Sequence, residues 1–228
     1  MKSIIISQPW GGLGDNLQYS TLPQLYTERG YDVYISKQNV YRNREMYDLV
    51  WKLNPYIKGE SDEEPNAGAC VPLQFVSSQF ITNVEKSHGL QGTRIYPSIY
   101  YTPKKIPSLE NTLLYDMTSV SSSYGDDYID TRFTSIFNMY PTLSKKKIIF
   151  KNIANRSTPD FHTDVIEVQS IFDYCDLIYS CKIFTCLFSG GAVLASAIKQ
   201  DDPSPIVHCI HTSTCDIFMF DNIMYHIG

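Results

Sequence analysis

Residues Ser7 to Pro23 read S-Q-P-W-G-G-L-G-D-N-L-Q-Y-S-T-L-P and follow an uninterrupted apolar run, Ile4-Ile5-Ile6. A run without alternation is what a strand carries when both faces of a parallel sheet are covered. After the glycines, Leu17, Leu22, Leu25 and Tyr26 recur at helical spacing, and Asp15 or Asn16 stands where it would cap the helix they predict. The stretch reads strand, glycine loop, helix. Gly11, Gly12 and Gly14 leave no Cβ in the way of a ligand, and the unpaired N–H groups of a helix start attract an anion or a sugar. Asp15 fits a plain phosphate loop poorly, because its carboxylate repels phosphate; it suits a proton acceptor or a partner for a hydroxyl. A tight turn with an Asp cap is the plain alternative. The dinucleotide pattern G-x-G-x-x-G is not met, since Gly12 and Gly14 are followed by Leu17.

Outward from this stretch the chain alternates as α/β proteins do. Arg29-Gly30 ends the helix and Tyr31 to Ser36 predicts a second strand, completing a βαβ unit. Asn43 to Leu53 predicts a helix stopped by Asn54-Pro55, a weaker strand lies near Tyr56 to Lys58, and Gly59 to Gly68 reads as an acidic surface loop. Phe80 to His88 predicts a helix, Arg94 to Pro103 an extended segment, and Pro103 to Pro107 a linker. The pattern then restarts: a strand at Asn111 to Met117, a polar loop over Ser119 to Ser123 with Gly125, and a helix at Tyr128 to Tyr140. Strands at Lys147 to Phe150 and Asp164 to Val168, and a helix at Ser170 to Cys181, complete that run. The expected fold class is α/β, with two small Rossmann-like domains, 1–108 and 109–228, whose parallel sheets face each other across a cleft.

A second strand, glycine loop and helix closes the argument. Ile183 to Phe188 is wholly apolar, Ser189-Gly190-Gly191 follows, and Ala192 to Ile198 is a helix of small and apolar residues; Ile206 to Ile210 reads as the last buried strand. Ser189, Gly190, Gly191 and Ala192 thus form a candidate anion cradle, a Gly-Gly turn being the bland reading. Ligands of open α/β sheets sit beyond the carboxyl ends of the strands, where both glycine loops fall. If the domains face one another, one loop supplies a carboxylate and the other phosphate-binding N–H groups. That division of labour suits transfer of a sugar from a nucleotide donor.

Composition narrows the field. The 228 residues are 43% hydrophobic and 19% charged, ordinary for a globular protein and long enough for two domains. The net charge is -5, and the one compact basic run, Lys145-Lys146-Lys147, precedes an apolar strand, so nucleic acid is not an expected partner. No apolar stretch reaches the roughly 18 residues of a membrane span, and the chain opens on a strand instead of a signal core, so a cytoplasmic location is expected. Six cysteines without a C-x-x-C pair read as buried small hydrophobes. His208 and His211 flank Cys209-Ile210, but their spacing is not that of a zinc site and no metal is expected. Some of the 17 tyrosines fit a sugar-binding cleft.

The stretch G-G-L-G-D-N-L-Q-Y-S-T-L-P resembles the G-x-G-D-x-L-x-x-T-P signature that opens the lipopolysaccharide heptosyltransferases, glycosyltransferase family 9. Gly12, Gly14, Asp15, Leu17, Thr21 and Pro23 match once two extra residues are allowed, one between Leu17 and Thr21 and Leu22 before the proline. Ser189, Gly190, Ala195 and Ala197 similarly resemble that family's late D-S-G-x-x-H-x-A-A-A segment, although its Asp is Phe188 here and its His falls on Val193. The resemblance implies the two-domain GT-B fold and an inverting, metal-independent transferase. Asp15 would be the general base. Gly12, Gly14 and Ser189 to Ala192 would hold a nucleotide-diphosphate sugar as co-substrate, and Trp10 and Asn16 would meet a glycan or lipid-linked acceptor. Lys151, Arg156 and Lys182 are the candidates for a basic residue on the donor phosphates. A catalytically inactive glycan- or nucleotide-binding protein is the alternative that Phe188 and Val193 keep open, and a nucleotide-dependent epimerase is a third.

Overall fold

A computed structural model describes residues 2–8, 10–67, 80–118, 126–151, 164–200, 202–211 and 220–227. The chain divides into two compact units, Met1–Thr102 with Asp216–Phe220, and Pro103–Cys215 with Asp221–Gly228. No described helix is long and apolar enough to cross a membrane.

The first unit contains β1 (Lys2–Ile6), α1 (Leu13–Gln18), α2 (Leu22–Glu28), β2 (Tyr31–Ser36), α3 (Arg44–Tyr47) running into a π-helical turn (Asp48–Lys52), β3 (Ile57–Ser61) and α4 (Phe80–Ser87). Its three strands are all parallel in the order β1-β2-β3, with Ile4 beside Val33 and Ile6 beside Ile35. Two expectations are corrected here. The helix after the glycine loop is two helices, because Pro23 has no N–H to offer the Tyr19 carbonyl, and Leu22 N–H closes a tighter turn on it instead, at 3.1 Å. The acidic stretch from Gly59 is not all loop: Gly59 to Ser61 form the end of β3, with Gly59 at φ +154° beside an irregularity in the pairing with β2.

The second unit contains a 3₁₀ turn (Pro107–Leu109), β4 (Thr112–Asp116), α5 (Asp126–Met139), β5 (Ser144–Phe150), β6 (Asp164–Val168), α6 (Ile171–Ser180), β7 (Ile183–Leu187), α7 (Gly190–Ile198), β8 (Ile206–His211) and β9 (Met224–Ile227). All six strands are parallel in the order β6-β5-β4-β7-β8-β9. This is the doubly wound order, in which strands run outward one way from β4 and the other way from β7. Every residue of β4 and β7 is buried, which is why both read as continuous apolar runs. Tyr115, Phe133 and Phe137 pack edge to face on one side of the sheet, with Leu113, Ile129 and Ile136.

Two further features extend the sequence reading. The segment read as a linker is pinned to α6: Lys104 N–H donates to Asp176 Oδ1 and Ile106 N–H to Ser180 Oγ, both at 2.8 Å. Ile206 to Ile210 is the last buried strand, as expected, but a further, partly exposed strand, β9, pairs with β8. The polar loop at Ser119 to Ser123, and Gly125, lie outside the described residues.

Candidate functional site

In the first unit, the segment after β1 lies beside the one after β2. Gln8 N–H donates to Asn39 Oδ1 at 2.9 Å, and Arg42 N–H to the Gly11 carbonyl at 3.0 Å. A Cβ on Gly11 would come within 3.3 Å of the Arg42 nitrogen, a tight contact that would press the two loops apart by a few tenths of an ångström. The loop then turns into α1 with Gly12, not Asp15 or Asn16, at the N-cap. Asp15 lies in the first turn, and its Oδ2 accepts from Gly12 N–H at 3.2 Å. Gly12 has no side chain to return the bond, so this is half of a capping box.

Asp15 is half-buried. Burial raises its pKa above the usual aspartate value, against the opposing pull of the Gly12 N–H and of the Arg42 guanidinium. Arg42 is therefore the basic neighbour of the acid, and sequence reasoning missed it. It enters only because β2 lies beside β1, which places the loop after β2 against the glycines.

Asn16, expected on the acceptor side, is fully buried. Its Nδ2 donates to the Gly12 carbonyl at 2.8 Å and its Oδ1 accepts from Trp51 Nε1–H at 2.8 Å. The side chain is thus engaged at both ends inside the fold. Trp10 is half-buried, with its ring 6.3 Å from that of Tyr19.

In the second unit, the glycine loop leaves β7 at its carboxyl end. Ser189 is extended and caps α7, its Oγ accepting from Gly191 N–H at 3.3 Å, while Ala192 N–H bonds the Ser189 carbonyl at 3.1 Å. Ser189 and Gly190 are half-buried; Gly191 and Ala192 are buried, with those N–H groups already engaged in the turn.

Gly191 is required by packing. A Cβ there would run into the Tyr174 hydroxyl, which donates to Asp116 Oδ2 at 2.6 Å. Asp116 is the last residue of β4, and its Oδ1 accepts from both Thr118 N–H and Thr118 Oγ1–H, at 2.7 and 2.6 Å. Burial lifts the Asp116 pKa, while the Thr118 and Tyr174 donors favour its ionised form. In a doubly wound sheet the ligand crevice opens between the two strands where the order reverses, here β4 and β7. Asp116, Thr118 and Ser189 to Ala192 are the residues at that place. An acid ending an apolar strand was the available signal for Asp116.

Of the basic candidates, Lys182 precedes β7, bonding Thr112 through its N–H, and so lies at the end of the sheet away from the crevice. Lys151 follows the carboxyl end of β5 and is exposed; Arg156 lies outside the described residues. Phe188, where the family has an acid, stacks flat on His211 with centroids 4.0 Å apart.

No protein-family model matches the chain, and no curated protein matches it by sequence. Solved structures do. TibC, an iron-containing dodecameric glycosyltransferase from enterotoxigenic E. coli H10407, superposes with a TM-score of 0.67 at 14% identity, over 99% of this chain and 62% of its own. A family 9 glycosyltransferase from Veillonella parvula DSM 2008 gives 0.63 at 8% identity, covering 100% of this chain and 85% of its own. The E. coli heptosyltransferase WaaC, solved with ADP, gives 0.59 at 9%, over 100% and 93%.

The fold is GT-B, as in the family 9 heptosyltransferases. Within that GT-B frame the chain spans less than two thirds of the length of TibC. Among the described residues no group of three or more His, Cys, Asp or Glu side chains is placed to hold a metal ion, and Cys175, Cys181, Cys186 and Cys209 are free and buried.

Proposed function

We infer that the chain is a glycosyltransferase that moves a sugar from a nucleotide-diphosphate donor to a hydroxyl of a glycan or lipid-linked acceptor. The observation carrying this is the match to family 9 structures along the whole chain, in a protein whose first strand opens into a glycine loop bearing Asp15.

In this reading the first unit takes the acceptor and the second the donor, with no metal. The acceptor oxygen attacks the anomeric carbon, Asp15 takes its proton, and the bond to the diphosphate breaks with both electrons leaving on the nucleoside diphosphate. Attack opposite the leaving group inverts the anomeric centre. A carboxylate with a raised pKa is the better proton acceptor, provided it stays ionised at the working pH. Ser189 and Gly190 stand at the start of α7, next to the switch-point crevice, and in this reading they would meet the charge that builds on the leaving diphosphate.

A panel of nucleotide sugars, read by release of nucleoside diphosphate, tests this reading. Asp15→Asn is expected to lose roughly 10²–10⁴-fold in turnover while still binding nucleotide. No release from any donor by the wild-type chain would overturn it in favour of the second reading, a nucleotide or glycan binder. Phe188 and Val193, in the places of the family's acid and histidine, favour that one.

A further inference from the structure

We propose that Asp116 is the positioning residue of the donor site, one buried carboxylate tying the end of β4 to the first turn of α7 at the switch-point crevice. The proposal rests on the transferase reading of that crevice. The end of β4 leads to Thr118, whose N–H and hydroxyl both end on Asp116 Oδ1. In the first turn of α7, Gly191 sits against the Tyr174 hydroxyl that donates to Asp116 Oδ2. The carboxyl group thus receives three donors from two parts of the chain, at distances of 2.6 to 2.7 Å.

The arrangement is more specific than packing needs. An apolar residue at the end of β4 would continue the buried strand without any desolvation cost, whereas a buried carboxylate is tolerated only where donors meet both of its oxygens in good geometry. That demand makes the group directional: Thr118 and Tyr174 each have one place to be. Tyr174 is held in turn by edge-to-face contacts with Phe150 and Phe184, at centroid distances of 5.1 and 6.1 Å, so the phenol transmits the constraint from β4 to α7. A diphosphate held at the start of α7 is sensitive to where that turn sits, because its oxygens need donors at fixed distances.

Calorimetric titration with ADP, GDP, UDP and CDP, and with the matching nucleosides, tests this. The wild-type chain is expected to bind at least one diphosphate. Asp116→Asn keeps the size and an acceptor for Thr118 but removes the charge; it is expected to weaken that diphosphate about tenfold or more and to leave the nucleoside nearly unaffected. Tyr174→Phe, which removes one hydroxyl from an otherwise intact ring, is expected to act in the same direction. The double variant should be little worse than the weaker-binding single, since both act on one path. If Asp116→Asn does not fold, Tyr174→Phe carries the test alone. A lowered melting temperature with an unchanged ratio of diphosphate to nucleoside affinity would mean a purely structural role and overturn the proposal, leaving the transferase reading intact. Failure of the wild-type chain to bind any of the four diphosphates would overturn both.

Discussion

Trp51 donates its indole N–H to the Asn16 carboxamide oxygen at 2.8 Å, with both side chains buried. The π-helical turn thereby holds the start of α1, and through Asn16 Nδ2 on the Gly12 carbonyl it holds the glycine loop. Asn16→Leu keeps the bulk but strands the Trp51 N–H, which costs about 1–3 kcal/mol of stability in the first unit. Trp51→Phe should cost a similar amount through the lost bond and volume. The double variant should then cost less than the sum, because each single leaves a polar partner stranded that the other removes. Urea unfolding of all four proteins decides it, and strict additivity would show that the bond does not matter.

Gly12 has an ordinary extended backbone, φ −79° and ψ 155°, so any residue could adopt it. What excludes a side chain is Asp15, whose Oδ2 lies 2.5 Å from where a Cβ would be. The obstacle is the end of a flexible side chain, so Gly12→Ala should cost only about 1 kcal/mol in stability. Turnover should fall much further, tenfold or more, because the acid is forced away from its Gly12 N–H. An Ala variant with wild-type turnover would show that the position of Asp15 does not matter to the chemistry.

Strands buried on both faces are legible because they leave no alternation: Ile183 to Phe188 is read to within a residue of β7, and the half-buried Tyr31 to Ser36 with the bounds it has in the structure. Helices with one apolar face, α5 and α6, are legible to within a residue or two. What escapes is what depends on a missing or distant partner. The break at Tyr19 to Thr21 follows from an absent proline N–H, which apolar spacing does not register. β9 is half-exposed and short, with a pattern of its own too weak to announce a strand, and exists because β8 offers a free edge. Asn16 is a plausible surface contact until Trp51, far along the chain, is found on its carboxamide, and Asp116 is an odd acid until Tyr174 is.

Gly191→Ala places a Cβ against the Tyr174 hydroxyl, and the resulting overpacking should cost about 1–3 kcal/mol in the second unit. Tyr174→Phe alone should cost about as much, by leaving Asp116 one donor short. Together they should cost less than their sum. With the hydroxyl gone, the nearest ring carbon stands 3.4 Å from the added methyl, close to ordinary contact. Denaturant midpoints of the two singles and the double measure this compensation, and a double at or beyond the sum would rule the steric account out.

Two buried histidines give each unit its own acid sensitivity. His88 is pushed down to about 4 by burial, with its Nδ1 on the Tyr26 hydroxyl at 3.0 Å. His208 is pushed to about 4 by burial first and then by His226 and Lys199, with Tyr140 on its Nε2 and His226 on its Nδ1, both at 2.9 Å. Since an unfolded histidine titrates near 6.5, the unfolded chain binds more protons between about 4 and 6.5. The stability from keeping each ring neutral is therefore full above that window and lost as the pH falls through it, by roughly 3 kcal/mol per histidine. Asp15, Glu85 and Asp116, whose pKa values burial raises, act in the opposite sense and favour the folded chain on the acid side. The histidine contribution is isolated by difference. His88→Asn keeps a polar group near the Tyr26 hydroxyl but cannot titrate, so its stability deficit against wild type should shrink steadily between pH 7 and pH 4 in the first unit's transition. A deficit that stays constant over that range would mean that His88 is not held neutral by the fold.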